Sequence, residues 1–184
     1  MRRFFAGWVV LLAVTAGAGE LKGVKMPDAV TVEGKALKLN GMGLRSKAIF
    51  KIYVAGLYVE TPSHDPAELI NKDEVHQVKM TLLRDLDHEK FAGGFMESFT
   101  NNSGDKFAAI KVRVEKFCAA IPAVVKEGES LIITYVPGKG TTLQVPHGES
   151  VTLEGKDFAQ ALFTVWLGKK PVDEDLKNGL VGSP

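Results

Sequence analysis

The sequence predicts a single α+β domain, and three observations lead to that fold class. The chain has 184 residues, enough for one buried core but not comfortably for two. Its composition, 45% hydrophobic and 24% charged, is that of an ordinary globular protein, which argues against a disordered or fibrous chain. Segments with strand and helix patterns come in blocks rather than in a regular βαβ alternation, an order typical of α+β folds.

The first eighteen residues have the pattern of a secretory signal peptide. Arg2 and Arg3 precede an apolar run over residues 4–14, and small residues at 16–18 suit a cleavage site. The run is shorter than the roughly 20 residues that span a bilayer, so a permanent anchor is the weaker interpretation. We therefore expect a periplasmic or secreted domain over residues 19–184, with no stable membrane anchor after cleavage.

The first half of the mature chain predicts mainly β-structure. Apolar and polar residues alternate around Glu33-Gly34, as in a hairpin. Gly56, within a long apolar run, indicates a bulge or a close backbone approach. Asp65 and Pro66 suit the cap and the first position of a short helix. The elements expected, in order, are a hairpin turning at residues 33–34, a strand over residues 49–59, a helix over 65–70 and a strand over 75–83.

The middle of the chain predicts two helices. Three phenylalanines recur every four residues behind a cap at Asp87 and form one helical stripe: Phe91, Phe95 and Phe99. Gly93 and Gly94 should each cost this helix about 1 kcal/mol relative to alanine, so the pair indicates close packing or a local bend. The second helix carries apolar residues from 107 to 125, and Pro122 should kink it near its end.

The last third returns to strands and then to helices. A Pro-Gly-Lys-Gly turn at residues 137–140 separates two predicted strands, and Gly168 is expected to end the helix that follows them. Asp173 should cap a last short helix. The strands expected here cover residues 131–136, 141–145 and 151–153, and the helices cover residues 158–168 and 173–180.

The familiar signatures of enzymes and metal sites are missing from the sequence. Lys and Arg number 23 against 22 Asp and Glu, so the chain lacks the basic excess of a nucleic-acid binder. The four histidines are widely spaced and Cys118 is the only cysteine, which predicts neither a metal site nor another cofactor. Cys118 suits a buried filler better than a nucleophile. An acidic cluster, Asp85, Asp87 and Glu89, suits a helix start, where carboxylates complement the dipole.

Arg45 lies among small and apolar residues, just after two glycines and ahead of a long apolar strand. One interpretation is a surface arginine on a strand edge. The other is a guanidinium in an apolar cavity, where two parallel hydrogen bonds could hold a carboxylate or enolate oxygen. The residues around Arg45 leave both interpretations open.

Three segments together resemble the chalcone isomerase-like family, and specifically its exported bacterial branch. They are residues 41–60, which begin Gly-Met-Gly-Leu-Arg, residues 135–141, Tyr-Val-Pro-Gly-Lys-Gly-Thr, and residues 166–177, which begin Trp-Leu-Gly-Lys-Lys-Pro-Val-Asp. The resemblance covers essentially the whole mature chain. It implies an open-faced β-sandwich, in which a curved antiparallel sheet lies under a helical layer with a ligand cleft between them.

The resemblance also carries over individual site residues. In the family's isomerases an arginine after a Gly-x-Gly stretch steadies the substrate oxyanion, and Arg45 has the matching place. The other isomerase positions fit poorly: Tyr53 stands for a threonine, Phe91 and Ser98 for a tyrosine and an asparagine, and Val165 for a threonine or serine. Conjugate addition needs such a polar constellation in addition to one cation. These four departures from the isomerase pattern therefore argue against an isomerase.

The family also contains fatty-acid-binding proteins, which implies the function that we expect. Arg45 would hold the head group of a fatty acid or similar apolar carboxylate, and phenylalanines such as Phe91 and Phe95 would surround its tail. Tyr53, Ser98 and Val165 complete the predicted ligand-binding set. Two alternatives remain: an intramolecular lyase with an altered hydroxyl set, and an interaction module whose cleft is closed by side chains.

Overall fold

A computed structural model of the protein describes residues 18–182. Residues 1–17, which make up most of the predicted signal peptide, lie outside the described residues, and so do residues 183–184. Ala18, the last residue of that prediction, begins the first strand and pairs with Pro27. Processing of the N-terminus therefore stays a prediction.

Strands and helices follow one another in blocks, as the sequence predicts. The strands are β1 Ala18–Leu21, β2 Val24–Pro27, β3 Ala29–Val32, β4 Lys35–Lys47, β5 Phe50–Val59, β6 His76–Leu82, β7 Leu86–Asp87, β8 Val124–Val125, β9 Ser130–Val136, β10 Gly140–Gln144 and β11 Val151–Leu153. The helices are α1 Pro66–Asn71, α2 His88–Ser103, α3 Phe107–Ala119, α4 Lys156–Leu167 and α5 Glu174–Leu180.

A seven-stranded antiparallel sheet, in the order β11-β10-β9-β6-β5-β4-β3, forms the centre of the domain. Its larger core contains alternate residues of the central strands, such as Leu57 and Met80, packed with the apolar faces of α2, α3 and α4. Phe99, Phe117 and Trp166 are fully buried in this core. The predicted α+β class, with an antiparallel sheet under a helical layer, is confirmed.

The other face of the sheet carries a smaller core, which the sequence did not predict. The hairpin β1–β2 contributes Met26, which is fully buried with Leu37, Val54 and Tyr58. A side-chain carbon on Gly56 would collide with the Met26 sulfur, so this glycine makes room for a side chain. The group that approaches Gly56 is therefore a side chain rather than the expected backbone, and no bulge occurs there.

Two helix predictions are wrong near Pro122. α3 ends at Ala119 rather than continuing through residue 125 with a kink. A residue before proline avoids the helical conformation, which favours a helix end in this region. The chain then forms the short strand β8, which pairs with β7 immediately before α2.

Among the described residues, no helix is both long enough and apolar enough to span a bilayer.

All three predicted aspartate caps stand at the N-cap positions of α1, α2 and α5, but only two of them make a capping hydrogen bond. Asp65 accepts a hydrogen bond from the Ala67 amide, and Asp173 accepts one from the Leu176 amide. Asp87 stands at the N-cap of α2 without a capping hydrogen bond, because its carboxylate pairs instead with Lys90 at 2.6 Å.

The imidazole of His76 is buried, and we expect it to make stability depend on pH. Burial, opposed mainly by Glu74 and Glu60, lowers its pKa from 6.5 to about 4. Below pH 6.5 the unfolded chain therefore binds a proton that the folded chain does not. The free energy of unfolding should fall by roughly 2–3 kcal/mol between pH 7 and pH 4.5 through this group. Urea unfolding of wild type and His76→Gln should show a weaker pH dependence in the variant, and equal dependences would contradict this assignment.

Candidate functional site

A cleft of about 880 Å³ opens between the β4–β5 hairpin and helix α2. Side chains do not fill it, which argues against the alternative of a closed interaction module. The six residues predicted from the sequence all line this one cleft: Arg45, Tyr53, Phe91, Phe95, Ser98 and Val165. Its size lies within the range of small-molecule sites.

Aromatic side chains form the inner wall of the cleft. The Tyr53 ring centroid lies 6.3 Å from that of Phe91, and Phe91 lies 5.5 Å from Phe95. Phe95 in turn meets Trp166 edge-to-face at 5.8 Å. These rings and Val165 are almost wholly buried, so the wall is rigid and apolar, as an acyl chain or a flat ring requires.

The Tyr53 hydroxyl is held at this wall by the indole of Trp166, whose Nε1 donates a hydrogen bond to it at 3.1 Å. Burial raises the pKa of Tyr53 to about 12, although Trp166 and the nearby charge of Arg45 oppose the shift. The group is therefore a neutral phenol at pH 7. Its oxygen accepts from Trp166, and its own proton has no acceptor among the described residues, so it can donate to a ligand.

Arg45 stands directly opposite Tyr53 in the β4–β5 register. Paired residues of antiparallel strands point to the same face of a sheet, which places the guanidinium beside the phenol. The guanidinium is not isolated: its Nη1 donates to the Ser46 carbonyl and lies 3.3 Å from a carboxylate oxygen of Asp173. The Arg45 side chain is 23% exposed. Of the two interpretations of Arg45, neither a freely exposed strand-edge arginine nor a guanidinium wholly inside an apolar cavity describes this position: the group lies at the cleft border.

Sequence reasoning missed that Asp173 lies beside Arg45. Its carboxylate accepts hydrogen bonds from the Ser46 and Leu176 amides as well as facing Arg45. Only Nη1 of the Arg45 fork is engaged by described residues, so Nε and Nη2 remain available for a ligand. Arg45 can thus bridge a fixed carboxylate and a bound one.

The outer part of the cleft is charged and was also missed. The basic residues there include Lys47, Arg84 and Lys170, and the acidic residues are Asp85, Glu89 and Glu97. Phe50 adds an aromatic ring, over which the Arg84 guanidinium lies at 4.6 Å. Position relative to the predicted strands could have indicated two of them: Phe50 lies at the start of the predicted strand 49–59, and Arg84 directly follows the predicted strand 75–83.

Gly93 and Gly94 face the cleft from α2, and the packing expected of them is absent. A side-chain carbon at either position would meet nothing within 4 Å, and both glycines are exposed. The prediction of close packing is therefore wrong at both positions. Their effect is to leave two adjacent positions of the helical wall of the cleft without side chains.

Ser98 is 7% exposed and lines the cleft, but its hydroxyl makes no hydrogen bond with a described residue. It is a second polar group that a ligand could contact.

Cys118 is buried, and burial raises the pKa of its thiol to about 11, which leaves it un-ionised. Among the described residues, no group of three or more His, Cys, Asp and Glu side chains is placed to hold a metal ion.

We expect Tyr53→Phe to lower both stability and ligand affinity. The substitution leaves the buried Trp166 N–H without its acceptor, which should reduce the free energy of unfolding by about 1–3 kcal/mol. Chemical denaturation, followed by far-ultraviolet circular dichroism so that variants with and without Trp166 are compared by one signal, measures this loss. Trp166→Phe in the Tyr53→Phe background removes the orphaned donor. If the two single substitutions proved additive, the hydrogen bond would not be the cause.

Comparisons with known proteins add a family and a fold. The sequence profile of the family described as chalcone isomerase-like matches residues 18–182. No curated protein matches the sequence significantly. The crystal structure of a fatty-acid binding protein from Arabidopsis thaliana superposes with a TM-score of 0.72 at 14% identity, covering 90% of this chain and 96% of that chain. Similarity at this identity establishes the shared fold.

Proposed function

The chain belongs to the chalcone isomerase-like family, and we propose that it is an exported, non-catalytic binder of a fatty acid or a similar apolar carboxylate. The acyl chain would lie along the aromatic wall, and the carboxylate would meet Arg45. The similarity in fold to a fatty-acid binding protein supports this function, and the N-terminal pattern of residues 2–18 supports export.

One observation carries the proposal: Arg45 and Tyr53 stand side by side where the border of the cleft meets its apolar inner wall. A guanidinium with free donors and a phenol with a free proton can together contact both oxygens of a carboxylate. Apolar pockets with a few convergent polar groups are the usual form of small-molecule sites. The absence of side chains at Gly93 and Gly94 widens the room for a chain.

The experiment compares ligands that differ in the head group alone. Palmitate and hexadecan-1-ol are titrated into the purified protein by calorimetry, with Trp166 fluorescence as a second signal, because Trp166 contacts Tyr53. Residues 18–182 contain no other tryptophan. Palmitate should bind with higher affinity than the alcohol. Equal affinities would exclude recognition of the carboxylate, and mass spectrometry of lipids that co-purify would identify the natural ligand class.

We expect no chalcone cyclisation above the spontaneous rate. Phe91 lacks the hydroxyl that would polarise a ketone, and the neutral Tyr53 phenol is not a base at pH 7. Each missing transition-state hydrogen bond would cost about 2.7–4 kcal/mol. Absorbance assays with naringenin chalcone, corrected for spontaneous closure, measure the rate. Saturable turnover well above background would support the isomerase alternative.

A further inference from the structure

The tip of the β4–β5 hairpin is the most unusual surface of the described residues. Five consecutive residues, Lys47–Lys51, are exposed, with the sequence Lys-Ala-Ile-Phe-Lys. Ile49 is 88% exposed and Phe50 is 51% exposed. Of the four large hydrophobic residues exposed in the described chain, two are therefore adjacent at one turn.

The chemistry of this turn differs from that of the other tight hairpins. The turns at Lys22-Gly23 and Glu33-Gly34 combine a charged residue with a glycine, and each pair has positive φ angles. At the β4–β5 tip the residue with positive φ is Ala48, at 51°, followed by Ile49. An alanine in this conformation is strained, and an exposed isoleucine adds no folded-state packing. The turn is therefore not optimised for stability, which favours a contact outside the chain.

The charge around the tip indicates what that contact is. Lys47 and Lys51 flank the two apolar residues, and Arg84 lies over the Phe50 ring. The segment of residues 46–51 contains no acidic residue. The Asp173 carboxylate adjoins this segment but is engaged by the Ser46 amide and Arg45. Asp85 and Glu89 also line the cleft, and the Asp85 carboxylate accepts a hydrogen bond from the Glu127 amide. Apolar side chains ringed by cations suit an interface between hydrocarbon and anionic headgroups.

We propose that the tip, Lys47–Lys51 together with Arg84, docks the protein on an anionic lipid bilayer. Ile49 and Phe50 enter the boundary between headgroups and acyl chains, and the basic side chains contact the headgroup phosphates. Lys47, Phe50 and Arg84 also line the cleft, so docking turns the cleft mouth towards the bilayer. Docking itself does not require a ligand; only its purpose, transfer of an apolar carboxylate between cleft and bilayer, rests on the proposed function.

Vesicle sedimentation tests the docking. Vesicles of phosphatidylcholine with about one third phosphatidylglycerol should bind the protein, and pure phosphatidylcholine vesicles should bind it much less. Ile49→Ser should lower the partition coefficient about tenfold or more, and Lys51→Ser about fivefold. Val112→Ser is the matched control, because Val112 is 62% exposed on α3, which contributes no residue to the cleft.

A second measurement locates the contact on the surface. Brominated lipids in the mixed vesicles should quench the fluorescence of the tryptophan introduced by Phe50→Trp, but not that of the tryptophan introduced by Val112→Trp. This difference should hold whether or not the N-terminus of the purified protein also binds the vesicles. Neither Ile49 nor Lys51 lines the cleft, so their variants should keep the palmitate affinity of wild type. Failure of palmitate binding in every variant would count against the proposed function alone. Equal vesicle binding by wild type, Ile49→Ser and Val112→Ser would overturn the docking, as would lipid-free self-association that Ile49→Ser abolishes.

Discussion

Gly43→Ala is expected to destabilise the domain by about 3–5 kcal/mol, which corresponds to a loss of roughly 10 °C in Tm for a chain of this length. A side-chain carbon at Gly43 would lie 2.5 Å from the Leu176 carbonyl oxygen and 2.9 Å from the Leu176 Cα. Overpacking usually costs about 1–3 kcal/mol because side chains rearrange. Here the obstacle is the backbone of α5, so β4 and α5 would have to separate.

The matched control is Gly93→Ala, the same substitution on the helix that faces β4 across the cleft. Nothing lies within 4 Å of the added carbon, and alanine favours a helix by about 1 kcal/mol over glycine. The Tm and the free energy of unfolding in urea should therefore fall for Gly43→Ala and rise for Gly93→Ala. A stable Gly43→Ala would mean that α5 does not pack directly on β4.

The contact between β4 and α5 also explains part of the family motif. A side-chain carbon on Gly41 would meet the carbonyl oxygens of Gly179 and, at 2.7 Å, of Leu180, and a carbon on Gly179 would meet the Met42 carbonyl. The Gly-x-Gly stretch thus lets a helix lie directly on a strand. The sequence alone showed the motif but not its partner, because the partner glycine lies more than 130 residues away.

Local chemistry explains which elements were predictable. The Asp65 and Asp173 caps and the phenylalanine stripe of α2 are signals contained within a few residues, and the structure reproduces them. The hairpin β1–β2 was missed because its apolar content is small and its one buried anchor, Met26, depends on a space left by Gly56. The short pair β7–β8 joins residues almost forty positions apart, which no local pattern reports.

In the candidate site, too, some features were predictable from the sequence and others depend on contacts between distant residues. Resemblance to the family located six residues that line one cleft, but it could not show which group satisfies the Arg45 guanidinium. That depends on where α5 docks, since the cap residue Asp173 is brought to Arg45 by the β4–α5 packing. Likewise, the glycines of α2 indicated a constraint in the sequence, and the structure shows an open wall rather than a neighbour.

Because Arg45 and Asp173 form an ion pair, we expect substitutions of the two residues to change the affinity for palmitate in opposite directions. Arg45→Ala should lower the affinity for palmitate by roughly ten- to a hundredfold, since a hydrogen bond to a charged group contributes about 1.5–3 kcal/mol. Arg45→Lys should restore only part of the loss, because an ammonium lacks the planar fork. Asp173→Asn should raise the affinity, because it removes the carboxylate that competes for the guanidinium and repels the ligand.

Asp173→Asn is informative because asparagine can still cap α5 through its side-chain oxygen. Titrations of palmitate and hexadecan-1-ol into wild type, both single variants and the double variant form a cycle, with circular dichroism to confirm folding. The alcohol should respond weakly to every substitution, because it carries no charge. If Arg45 is purely structural and only ties β4 to α5, Arg45→Ala and Asp173→Asn should instead both lower the Tm, and the palmitate affinity should stay constant. That outcome would exclude Arg45 as the head-group ligand, because the strand–helix tie would then account for its whole effect.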